Sequence, residues 1–288
     1  MQKKYAFALI ALAAILMTVS CQNKGAQSGK ADEAIIAVAD GNGALPGKFS
    51  VSDTKQIQFS KGNLYWDGSA FKFEDNQYDF PTSRNESHVG HFPWRSIAPG
   101  EHDRTRHDER TDTEVLFTNE AETTARPDFK VNGVQGKYRT LSAAEWTYLF
   151  KSRTNASNLY KCGVSVCGKF NCLILAPDDF LGTIDSSYDA SNWPAAEAAG
   201  LVCLPAAGCY YEYSLISDVD SRGGYWSSYA GEGSDSYRGF FDGGNPRPEG
   251  IGHFVFFNSG FVIPDGINNR KYLSSIRLIL ESQIEFTN

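Results

Sequence analysis

The chain has 288 residues, with 27 Lys and Arg against 34 Asp and Glu, a formal net charge of −7. No basic run interrupts this acidic text, which argues against nucleic acid and against anionic lipid headgroups as partners. Beyond Val19 no segment approaches the ~18 consecutive apolar residues of a membrane-spanning helix, so a spanning helix is not expected in the folded part.

The first residues read as a targeting signal. Lys3 and Lys4 form a basic start, and Ala6 to Val19 is an apolar run of 14 residues, the length of a signal-peptide core. The run ends Met17-Thr18-Val19-Ser20-Cys21, which resembles a bacterial lipobox with Thr18 where Leu is usual. Residues 1–21 are expected to be a lipoprotein signal peptide with Cys21 as the lipidation site; an ordinary secreted chain with an incidental cysteine is the alternative. Residues 22–44 open with Gln-Asn-Lys-Gly-Ala-Gln-Ser-Gly, too polar to bury a core, and read as a flexible tether. The membrane would then be reached through lipid alone. Cleavage would remove two lysines and no acid, leaving 25 basic against 34 acidic residues, or −9. Residues 45–288 are long enough for one large domain.

Within that domain, Lys55-Gln-Ile57-Gln-Phe59 alternates with period 2, as a half-buried strand does. Asn63 to Phe73 reads as a hairpin about Asp67-Gly68, a pair suited to a two-residue turn. Residues 81–130 are polar and read as a long insertion. Ser142 followed by Glu145 is a capping box, and Trp146, Leu149 and Phe150 give the helix behind it a buried stripe. A second short helix is expected at Trp193–Ala199, ended by Gly200. Further strands are expected at 173–175, 201–204, 224–226, 236–241, 253–257 and 275–279. Two helices among many short strands indicate an α+β fold.

Residues 222–270 hold 11 of the 27 glycines and ten aromatics in 49 residues. Rigid aromatic anchors interleaved with Gly, Ser and Asn are the composition of binding loops. Candidate contacts with an unknown glycan or protein ligand are Tyr229, Tyr237, Arg238, Asn245, Arg247, His253, Asn258, Asn268, Asn269, Arg270 and Tyr272, taken as exposed. Trp226, Phe240, Phe254 and Phe256 are read as the core face of strands.

Other constellations carry less. His88, His91, His102 and His107 share the insertion with several carboxylates, but Arg104, Arg106 and Arg110 are interspersed and the spacing is that of no zinc site. Cys162, Cys167, Cys172, Cys203 and Cys209 are read first as buried thiols; one or two disulfides, with Cys162 facing Cys172 across a hairpin, are the alternative. Asp178-Asp179 follows a strand and a proline and is read as a turn or cap. The sequence calls for no metal and no cofactor.

Some of these pieces have a known likeness. Tyr138-Arg139-Thr140-Leu141-Ser142-Ala-Ala-Glu145-Trp146 resembles the helix start of the formylglycine-generating-enzyme branch of the C-type-lectin fold. Gly223-Gly224-Tyr225-Trp226 and Ser275-Ile276-Arg277-Leu278 are similar to two of its later strands, in the same order. From Phe49 onward the text resembles domains on lipoproteins of gut Bacteroidetes. The resemblance implies a C-type-lectin-like fold on an outer-membrane lipoprotein at the cell surface, or facing the periplasm. That branch's catalysts hold copper with a late cysteine pair, and no cysteine follows Cys209, so the likeness implies a binder rather than an enzyme. The glycine- and aromatic-rich stretch also occupies the place of the hypervariable part in variable proteins of diversity-generating retroelements. A structural envelope or fimbria-associated role is the other non-catalytic alternative.

Overall fold

The computed structural model describes residues 43–82, 88–93, 130–131, 134–135, 138–210, 216–228, 251–269 and 272–281. It is a mixed α+β structure of short strands in small sheets with few helices.

Strands β1 (Phe49–Ser50) and β2 (Gln56–Phe59) come first, then the hairpin of β3 (Leu64–Trp66) and β4 (Phe71–Phe73). The alternation read in the sequence holds: Ile57 and Phe59 are fully buried while Gln56 and Gln58 are half-buried. The hairpin loop has four residues, 67–70, rather than two. Asp67 Oδ1 accepts from the amides of Ser69 at 2.8 Å and Ala70 at 2.7 Å, so the aspartate side chain organises the longer loop.

Next come β5 (Phe92–Pro93), the short pair β6 (Lys130–Val131) and β7 (Val134–Gln135), and β8 (Tyr138–Arg139). Helix α1 (Ala143–Thr147) carries the expected capping box: Ser142 Oγ accepts from the Glu145 amide at 3.2 Å, and Glu145 Oε2 accepts from the Ser142 amide at 2.9 Å. The helix widens into a π-helical turn at Tyr148–Ser152, closed by the Arg153 amide donating to the Tyr148 carbonyl. Trp146, Leu149 and Phe150 are buried, as the stripe requires.

Glu145 does a second job. Arg139 Nη1 and Nη2 donate to its two oxygens at 2.7 and 2.8 Å, a buried two-pronged pair that ties β8 to the first turn of α1.

Then come β9 (Tyr160–Val166), β10 (Lys169–Leu175), β11 (Ser187–Tyr188), helix α2 (Trp193–Ala198) and β12 (Val202–Leu204). Gly200 ends α2 at φ +88°, a conformation that suits glycine. Asp178-Asp179 form a turn, as read, closed by the Phe180 amide donating to the Pro177 carbonyl, and the Asp178 side chain is also a tie. Its Oδ2 accepts from the Ser50 amide and hydroxyl, each at 2.7 Å, and from Gln56 Nε2 at 2.9 Å; its Oδ1 accepts from Arg153 at 3.2 Å.

The chain continues with β13 (Cys209–Tyr210), β14 (Ile216–Ser217), β15 (Arg222–Trp226), β16 (Ile251–Asn258), β17 (Val262–Asn269), β18 (Leu273–Ser274) and β19 (Ile279–Glu281). The expected strand at 275–279 is broken: residues 276–278 are not paired as a strand, and the Ile276 and Leu278 carbonyls accept from the amides of Leu64 and Ser60. The expected strand at 236–241 lies outside the described residues.

The sheets are small, with strand orders β1-β2-β19-β8, β11-β9-β10-β12, β14-β13-β18-β5 and β15-β16-β17. Among the described residues, three clusters of buried side chains lie around them. The largest joins Phe49, Ile57, Phe59, Trp146, Leu173, Val202, Tyr225 and Phe257. In β15 the paired glycines make room for β16: a Cβ on Gly223 would come within 2.1 Å of the Phe257 ring.

Glu145→Ala should strip the buried Arg139 guanidinium of its two-pronged carboxylate, and so lower the unfolding free energy by ~3–5 kcal/mol. Ser142→Ala removes only the cap and should cost ~1 kcal/mol. Urea melts of the two variants would check this ordering.

Candidate functional site

The sheet β14-β13-β18-β5 shows where the connecting segments leave the scaffold. Its register sets Tyr210 opposite Leu273 and Leu273 opposite Pro93. All three pairings in this sheet are antiparallel. The exit from β13 at Tyr210, the approach to β18 at Tyr272 and the exit from β5 at Pro93 therefore share one end. From that row depart the connections 211–215, 270–271 and 94–129.

A fourth connection begins close by. Trp226 Nε1 donates to the Phe92 carbonyl at 2.7 Å, and two residues later, after Ser228, the segment 229–250 leaves β15. The far end of that segment adjoins the same row, since Ile251 pairs with Asn269 just before 270–271. Segments that lie far apart in the sequence thus start from one face, and two of the four adjoin candidate residues read from the sequence.

The floor of this face is polar and buried. Ser227, Ser228, His253, Asn268, Ser274 and Ser275 are each at most 5% exposed. The Ser227 amide donates to the His253 carbonyl at 2.9 Å, and His253 Nδ1 pairs with the half-exposed carboxylate of Asp265 on β17. His91 completes the floor from the β5 side, its Nε2 donating to the Ala207 carbonyl at 3.0 Å. Burial pushes the His91 imidazole down to about 4, so it is neutral at pH 7.

The candidate contacts divide. His253, Asn268 and Tyr272 were expected to be exposed and are buried, at 5%, 1% and 4% exposure. The reason lies in partners supplied by the fold: residues 252–257 of β16 and 266–268 of β17 are buried on both faces, and polar atoms enter such a place only with hydrogen bonds to meet them. Asn258 is half-buried and shapes the β16–β17 turn, its Oδ1 accepting from the amides of Gly260 at 2.8 Å and Phe261 at 3.1 Å. Asn269 ends β17. Tyr229, Tyr237, Arg238, Asn245, Arg247 and Arg270 lie outside the described residues. Trp226, Phe254 and Phe256 are core, as read; Phe240 lies outside the described residues.

The alternation of β16 could have placed His253. It shares a face with Val255 and Phe257, both fully buried, and that period-2 pattern was available in the sequence. Asp265 was missed, because nothing in sequence spacing joins it to His253.

The paired histidines of the insertion go separate ways. His88 is half-exposed, bonds Glu74 at 2.6 Å and packs on Tyr65, whereas His91 is buried against Ala207. No group of three metal-ligating side chains is found among the described residues. His102 and His107 lie outside them. The five cysteines of the domain are free thiols. Cys162 does not face Cys172, because the register of the β9–β10 hairpin puts Val164 opposite Cys172. Burial pushes the thiols of Cys162 and Cys209 up to about 11 and about 12, and that of Cys203 well above its ordinary value.

Comparison with protein-family models, with curated proteins and with solved structures found no match.

Two predictions come from this floor. Tyr272→Ala should lower Tm and cost ~3–5 kcal/mol as a core truncation, measurable by calorimetry. His91 holds fewer protons folded than unfolded, since its pKa falls from 6.5 to about 4 on folding. Its contribution is complete above pH 6.5 and is lost as pH falls toward 4, by up to ~3 kcal/mol. His91→Gln should therefore flatten the decline in stability between pH 7 and pH 4, as read from urea melts at each pH.

Proposed function

We propose that this chain is a non-enzymatic, lipid-anchored protein of the bacterial outer membrane that binds a glycan or protein ligand with the face where its connections converge. On this reading the domain has the C-type-lectin-like fold of the formylglycine-generating-enzyme type. One observation carries it: connections from four separate parts of the chain start at one face of a packed scaffold, and the one from residue 229 to 250 is rich in Gly, Tyr, Arg and Asn. Loops on a rigid frame are a common arrangement for recognition.

The thiols support a binder over a catalyst. The nucleophilic and metal-binding form of cysteine is the thiolate. Cys203 and Cys209 are both buried, and their pKa values are raised, so they hold their protons at neutral pH.

The test is a glycan and host-protein array probed with the folded domain, followed by titration of the strongest hit. Tyr229→Ala and Arg247→Ala are expected to weaken that hit by at least about tenfold with Tm unchanged, as interface anchors do. Full affinity in both variants would remove the assignment of this face. Independently, Cys21→Ser should move the protein from the membrane fraction to the soluble fraction; unchanged membrane association would end the lipid-anchor reading.

A further inference from the structure

Strands β10 and β12 bring two sulfurs into one core. Their register pairs Leu173 with Leu204, Ile174 with Cys203 and Leu175 with Val202. Alternation then sorts the side chains. Leu173, Leu175, Val202 and Leu204 join the largest cluster. Cys172, Ile174, Leu201 and Cys203 join the cluster on the other face, with Val164, Val166, Tyr188 and Trp193. Cys172 is thus the diagonal neighbour of Cys203 across two hydrogen-bonded strands, and both are 0% exposed. The β9–β10 pairing is irregular between Cys172 and Ile174, so β10 departs from regular geometry at this cysteine.

Burial pushes the Cys203 thiol up, and the neighbouring Cys172 side chain adds to that shift. A third, Cys167, packs partly buried against the same cluster. It occupies the β9–β10 turn at φ +47°, followed by Gly168 at φ +84°. None of this sulfur is used by the proposed binding face.

We propose that Cys172 and Cys203 are a disulfide-forming pair that staples β10 to β12 when the chain folds in the presence of a low-molecular-weight disulfide. One thiolate attacks that disulfide and releases a thiol, leaving a mixed disulfide on the protein. The second thiolate then displaces the remaining thiol. The protein loses two protons and two electrons, and the oxidant leaves as two thiols. Once the core has closed, burial keeps both sulfurs from solvent, so the exchange belongs to the folding reaction rather than to the finished fold. The bond closes a loop between positions 31 apart (203 minus 172), the stretch that carries β11 and α2. Restricting the unfolded chain over such a span is stabilising.

The experiment uses the full chain with Cys21→Ser. It is refolded from denaturant at neutral pH in a reduced and oxidised glutathione mixture, and in parallel in dithiothreitol. Free thiols are alkylated under denaturing conditions and the digest is read by mass spectrometry. The expected result is a peptide joining Cys172 to Cys203 in the glutathione sample, with a Tm several degrees above the dithiothreitol sample. Cys172→Ser should lose both the peptide and the Tm difference. Alkylation of all five thiols after glutathione refolding would overturn the proposal, as would a linked peptide that uses Cys162, Cys167 or Cys209 instead. The mapping is made on a chain with all five domain cysteines, so it decides the matter even where Cys172→Ser does not fold. It is also independent of membrane location and of ligand.

Discussion

A buried positive charge organises the centre of the molecule. Arg277 is 1% exposed, and its guanidinium is held by neutral oxygens. Nη1 donates to Asn63 Oδ1 at 3.2 Å, and Nη2 to Gln77 Oε1 at 2.7 Å and to the Lys61 carbonyl at 3.4 Å. Burial pushes it down to about 10, still charged at neutral pH. A cation in such a place is tolerable only while every one of those oxygens stays put. Gln77 passes the constraint on: its Oε1 also accepts from the Cys203 amide at 2.8 Å, and its Nε2 donates to Glu197 and to the Leu201 carbonyl, each at 3.0 Å. One side chain near the end of the chain thereby fixes the β2–β3 connection, the segment after β4 and the end of α2 relative to one another.

The same cage explains why residues 276–278 are not strand. Their backbone is committed to the β2–β3 connection through the Ile276 and Leu278 carbonyls, and the arginine between them points inward. Period-2 text can be read for alternation, but the partner that takes the hydrogen bonds is chosen by the fold. The capping box, by contrast, is a local device, and Ser142 with Glu145 was legible from four consecutive residues. So was the buried stripe of Trp146, Leu149 and Phe150. That Glu145 would also carry the two-pronged bond to Arg139 was not legible, since the pairing depends on β8 lying alongside the helix start.

The face where the connections converge was half legible. Composition singled out the stretch between β15 and β18, and Trp226, Phe254 and Phe256 were rightly assigned inward. Composition did not show that the segment after β5 and the segment after β13 start from the same row. That fact lives in the register Tyr210–Leu273–Pro93, which joins residues far apart in sequence. Exposure was misjudged at His253, Asn268 and Tyr272 because polarity was taken as a sign of solvent. Where a strand is covered on both faces, as β16 is from 252 to 257, a polar side chain is instead a sign of a hydrogen-bond partner. Asp265 supplies that partner for His253 from the neighbouring strand.

Strand order has a kinetic consequence. In the sheet β1-β2-β19-β8, the last strand lies between the second and the eighth, so β2 and β8 meet only through residues 279–281. No growing chain can finish this sheet before its final strand has emerged. Ile57 and Phe59 must wait, unpaired on one side, through the synthesis of more than 200 residues (279 minus 59 is 220). Loop closure on that scale slows folding and lengthens the time that sticky strand edges stay open. The architecture therefore trades early folding of its amino-terminal half for a late closure, and a chain lacking residues 279–281 would keep the β1–β2 pair but lose the bridge from it to β8.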